Sequence, residues 1–181
     1  MVMMLERYLP EIAMPAYAFV PARHPHPVTD ARGHSFGRTA VPVSPLDTHQ
    51  PFRSTEYLHA IDLFNAGYYW EAHEEWEGLW VAAGRAGVAG NFLKGLIKLA
   101  AAGVKSREGQ GGGVKRHAKR AGELFRITRA NLPEGQAVYA GLTLDNLVQV
   151  ATELESHPII DDSFSVGGQP VLCIRLTLTA S

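Results

Sequence analysis

The chain has 181 residues, 46% of them hydrophobic and 19% charged, with a formal net charge of −1. That length suits one domain with extra arms, and the composition is that of a folded globular protein, not a disordered chain. The near-zero charge gives no global attraction for nucleic acid or an anionic membrane, and the single Cys173 excludes an intramolecular disulfide framework and any Cys-x-x-Cys zinc site.

The opening stretch MVMMLERYLPEIAMP has an early Glu6, a proline at Pro10 and no apolar core of about 7 to 15 residues, so it does not read as a signal peptide. The lone cysteine suits a reducing compartment, so a cytoplasmic location is expected, and no stretch reaches about 20 apolar residues, so no membrane span is predicted. Eight of the eleven prolines and four of the eight histidines precede residue 53. Proline fixes its own φ and disfavours helix in the residue before it, so residues 1–52 read as an extended, turning arm. Its apolar patches PAYAFVP and RTAVPV suggest that part of it lies on the domain.

From residue 53 the spacing becomes helical, and residues 53–158 read as one helical bundle. A first helix is predicted over Ser54 to Ala66, capped by Ser54 or Thr55 and stopped by Gly67. The next run from Tyr68 to Ala83, from Asn91 to Glu108, from Gly113 to Asn131 and from Leu144 to Ser156, the last with Thr143 as N-cap. About five helices with short connections make an all-α, compact bundle. Residues 159–181 form a tail whose end, PVLCIRLTLTAS, is β-branched and apolar. If extended it needs a partner, and the arm near YAFV is the proposed one, against a tail that packs without pairing or is mobile.

The second helix carries FNAGYYWEAHEEWEGLW. At about 100° per residue, Tyr69, Ala72, Trp76, Leu79 and Trp80 share a core face. His73 falls at its edge with Glu77 one turn on, Glu74 lies farther round, and Glu71 and Glu75 point away and are expected in water. The third helix is apolar nearly all round and reads as central. Its lysine stripe, Lys94, Lys98 and Lys105, is expected to face Glu74 and Glu77. In the fourth, Val114, Ala118, Ala121, Phe125 and Thr128 face inward and His117 sits at their edge. The basic outer side of that helix has no aromatic residues interleaved for base stacking, so it reads as a solvated face and no nucleic-acid partner is expected.

Phe64, Asn65 and Gly67, then Glu71, Ala72, His73, Glu74, Glu77 and Trp80, then Gly95, Leu96, Ile97, Leu99, Ala100 and Ala101 resemble the pattern of the bacterial and archaeal family called domain of unknown function 309. The likeness covers about residues 52 to 132, and the arm resembles the extension of a longer subgroup. The resemblance implies a small all-α bundle; members are often labelled predicted metal-dependent hydrolases. Lys98 and Lys105 stand where many shorter members have Gln and His, so a metal site using that histidine would lack it here.

Three readings of the motif follow. In the first, His73 and Glu77 ligate a divalent ion, zinc or iron, with Glu74 as general base of a hydrolase. A catalytic zinc site takes about three protein ligands, so the missing ones would come from His24, His26 or His34 of the arm, His59 or His117. In the second, the seam is a non-catalytic pocket for a small molecule or protein segment, with Tyr69, Trp76, Lys98 and Lys105 as binding residues. In the third, the seam is structural and fixes helix register. A homo-oligomer is compatible with all three.

Overall fold

The computed structural model describes residues 7–39, 41–161 and 168–179. The five expected helices form, as α1 (Thr55–Asn65), α2 (Tyr69–Ala82), α3 (Gly87–Arg107), α4 (Gly111–Ala130) and α5 (Leu144–Ser156). Two short features were not anticipated: a 3-10 turn at Pro51–Arg53, and a hairpin of β1 (Val138–Tyr139) and β2 (Leu142–Thr143), paired antiparallel with Val138 opposite Thr143. The fold is all-α, and each helix packs on the next.

Local signals set most helix ends. The Ser54 hydroxyl accepts the Tyr57 N–H at 3.2 Å, the bond an N-cap serine exists to make. After α1 the chain turns at Gly67, whose φ of 84° is left-handed and suits glycine. Two boundaries move because glycines read as loop belong to helices: α3 starts at Gly87, ahead of Asn91, and α4 at Gly111, ahead of Gly113. Gly90 lies in the first turns of α3, where a Cβ would come 2.8 Å from the Arg85 backbone, and Gly113, the expected start of α4, gives room to the Lys105 stem crossing over it. At Gly90 the close approach needs glycine, so composition alone misplaces the start of α3.

The core runs through all five helices, with Tyr57, Phe64, Trp76, Phe92, Leu96 and Phe125 fully buried. α3 is central, packed between α2 and α4. Its Gly95 faces the Phe125 ring and its Gly103 faces the Tyr69 ring, each so closely that a methyl group would collide. Burying a large side chain contributes about 1.5–3 kcal/mol, so this seam supplies much of the driving force for the bundle.

Arm and tail both dock, through backbone groups met by buried side chains. Asp62 on α1, 2% exposed, accepts the Tyr8 and Leu9 N–H groups, each at 2.8 Å. Ala18, Phe19 and Val20 of the first apolar patch are buried as expected, but Val41 of the second is 78% exposed. Among the described residues the tail forms no strand and makes no backbone hydrogen bond to YAFV. Asn65 donates to the Leu176 carbonyl and accepts its N–H, both at 2.8 Å, while the Tyr69 hydroxyl accepts from Val171 and Leu172 and the Tyr8 hydroxyl from Leu178. Side chains supply what a neighbouring strand would have, so the tail stays extended without a sheet.

Candidate functional site

α2 places its aromatic face as its periodicity requires: Tyr69, Ala72, Trp76 and Leu79 are buried. Tyr69 and Trp76 are therefore core residues, not the walls of an accessible pocket, and the Tyr69 hydroxyl is occupied by the tail. Trp80 stands at the margin with the Lys94 amine 3.8 Å from its ring centroid.

On the polar side, His73 Nδ1 lies 3.2 Å from Glu74 Oε1 and 3.9 Å from Glu77 Oε2. One ligand atom from each of the three falls within 4.8 Å of the others, and this is the only such group among the described residues. One turn of helix brings the i and i+4 side chains together, and the neighbour at i+1 folds back onto the same imidazole. The side chains are partly exposed, at 28% for His73, 46% for Glu74 and 41% for Glu77. A nitrogen and two carboxylate oxygens make a donor set that zinc or iron accepts, and the exposure leaves coordination positions for water.

The surrounding candidates go to different places. His117 on α4 is held at about 4, well below the usual imidazole range, first by burial and then by the positive charges of Lys98 and Lys105, with Arg116 and His73 adding. It is thus neutral near pH 7 and in electrostatic reach of His73, though outside the three-residue group. Lys105 pairs with Glu108 at 2.6 Å, and among the described residues neither Lys98 nor Lys105 forms an ion pair with Glu74 or Glu77. Lys94 lies in the electrostatic field of Glu77, but no lysine of the stripe forms a described ion pair with the carboxylates expected opposite it.

The arm histidines do not join His73. His24 stacks on Tyr17 and accepts the Val20 N–H, and His26 caps a turn by accepting from Val28 and Thr29 while its ring edges Trp70. His34 reaches Glu71 instead: Nε2 is 3.0 Å from Oε1, and Nδ1 is 2.9 Å from the Ser35 hydroxyl. The same Glu71 oxygen accepts the Phe19 N–H at 2.9 Å.

Glu71 overturns the expectation that it faces water, since it is 5% exposed. Burial pushes its carboxyl up, opposed by the Phe19 and His34 hydrogen bonds. Glu75 is partly covered and lies 3.2 Å from His59 Nδ1. The helical wheel placed these two glutamates opposite the bundle, but the arm forms a second covering layer there. The signal that pointed to this was the apolar patch next to the arm histidines, a segment that needs a polar and apolar surface to dock on.

No described helix is long and apolar enough to cross a membrane. Residues 57–117 match the family model described as domain of unknown function (DUF309). No curated protein matches the chain.

Proposed function

We infer, for a chain that carries the DUF309 domain across residues 57–117, that α2 binds a divalent cation through His73, Glu74 and Glu77. The observation that carries this is the convergence of the three ligand atoms within 4.8 Å on a single helix. What favours it over a structural seam is that both carboxylates beside His73 belong to its own helix. A register-fixing network would bridge elements. Such an ion would keep open positions where a water could be polarised, the arrangement metal-assisted hydrolysis uses. Glu74 serves as ligand or as base to that water, not both.

The test is metal content of untagged protein together with calorimetric titration of Zn²⁺ and Mn²⁺ into the full chain and into His73→Ala. One equivalent of ion should bind, and the variant should lose it with its melting temperature little changed. Absence of uptake by the parent would sink the proposal. A chromogenic ester and a phosphate ester, offered to the loaded protein, then separate hydrolysis from binding alone.

A further inference from the structure

The cation site of α2 opens onto a groove that two of its ligands share. Glu74 and Glu77 line a cleft of about 470 Å³ between α2 and the arm, within the size range of small-molecule sites. Beyond these two carboxylates every described lining residue is apolar: Gly78, Val81 and Ala82 on the helix, and Val41, Pro42 and Val43 on the arm. The helical wall from Glu74 to Ala82 is about 12 Å long at 1.5 Å per residue. Carboxylates stand toward its N-terminal end and apolar groups toward its C-terminal end.

Two features leave the apolar end open. Val81 is 47% exposed and Val41 78% exposed, so both walls hold apolar surface in water, which an apolar group would favourably cover. Gly78 leaves the floor bare. A Cβ there would meet the Val43 side chain at 3.6 Å, an ordinary contact, and nothing closer. Glycine is unfavourable in a helix interior, and the packing that demands it at Gly95 and Gly103 has no counterpart at Gly78. What glycine preserves at this position is the space of the groove.

The chemistry of the walls narrows the ligand. No described lining residue is a lysine or arginine, so a phosphoryl group would find no cationic side chain in the groove. An acyl group presents one carbonyl or carboxylate to an ion and an aliphatic chain to the walls. The ion is needed for this, because Glu74 and Glu77 alone repel a carboxylate.

We propose that the ligand of the cation site is an aliphatic acyl compound, its oxygen on the ion held by His73, Glu74 and Glu77 and its chain laid along Val41, Val43 and Val81. This rests on the cation reading and adds the substrate class to it.

The test uses the full chain loaded with Zn²⁺ and calorimetric titration of acetate, butyrate and hexanoate. Loading with Co²⁺ gives a second readout, since an acyl oxygen entering the coordination sphere changes the cobalt absorption. Each buried methylene favours binding about three- to four-fold, so hexanoate should bind about ten-fold or more tighter than acetate even with its chain half covered. The double variant Val41→Ser/Val81→Ser changes two exposed residues. It should take up one equivalent of ion and bind acetate as the parent does, but lose the gain with chain length. Gly78→Leu, which fills the floor, should lose that gain too, and ion-free protein should bind none of the three acids. Hexanoate and acetate binding alike to protein that holds the ion, a chain-length gain retained in either variant, or hexanoate binding undiminished without the ion would each overturn this inference and leave the cation site standing. A parent that takes up no ion overturns both.

Discussion

His34 and Glu71, 37 positions apart in the chain, meet with Nε2 3.0 Å from Oε1, both side chains under a tenth exposed. The oxygen that receives His34 also receives the Phe19 N–H, so one carboxylate on α2 holds the arm by side chain and backbone together. Removing it leaves a buried donor unmet, a loss of about 1–3 kcal/mol, and more when the missing partner was charged. Glu71→Ala should therefore lower stability by about 2–4 kcal/mol and open residues 21–38 to limited proteolysis. Glu71→Gln, which keeps an acceptor, should do so much less. Equal cleavage rates in parent and alanine variant would contradict this fastening.

His117 sets a pH dependence whose sign follows from its environment. Its folded value of about 4 lies below the ordinary 6.5, so the unfolded chain binds more protons between those limits. Stability contributed by the neutral ring is complete above pH 6.5 and is lost as the pH falls towards 4. Full burial would make this gap worth ~3.4 kcal/mol, but the ring is half-buried and solvent screening reduces it to about 1–2 kcal/mol. Urea midpoints at pH 7.5 and 5.0 should fall more for the parent than for His117→Gln, and parallel falls would refute the assignment.

Gly103 reports on how closely α2 and α3 approach. A methyl group there collides with the Tyr69 ring, and overpacking a core costs about 1–3 kcal/mol. The gain in helix propensity from alanine, about 1 kcal/mol, offsets only part of this. Gly103→Ala should lower the melting temperature by a few degrees, roughly 2–4 °C per kcal/mol at this chain length. A rise in melting temperature would mean that Tyr69 can move aside.

Tyr69 also anchors the tail. Its hydroxyl accepts the Val171 and Leu172 N–H groups at 2.9 and 3.0 Å, so Tyr69→Phe keeps the ring in the core while leaving two buried donors unmet. Hydrogen exchange at Val171 and Leu172 should accelerate, with α3 and α4 little affected. Unchanged protection at both amides would show that the tail is held from elsewhere, for example by Asn65.

What sequence alone determined is what short-range periodicity encodes. The five helices, their all-α packing, a cap at Ser54 or Thr55, the Gly67 stop and the buried faces of Tyr69, Trp76 and Leu79 follow from the 3.6-residue repeat and from residues beside each helix end, and the structure selects Ser54 as the cap. The pairing of His73 with Glu77 was equally legible, because one turn of helix brings the two side chains together, whereas the approach of Glu74 to the same imidazole is seen in the folded helix. The fates of Glu71, Glu75 and Asp62 were decided only in three dimensions. A wheel measures angle from one buried face and cannot register a second layer laid on by a distant segment. Whether a carboxylate stays in water or is buried depends on donors such as the Phe19 and Tyr8 N–H groups, more than 50 positions away, and that pairing is a property of the folded chain.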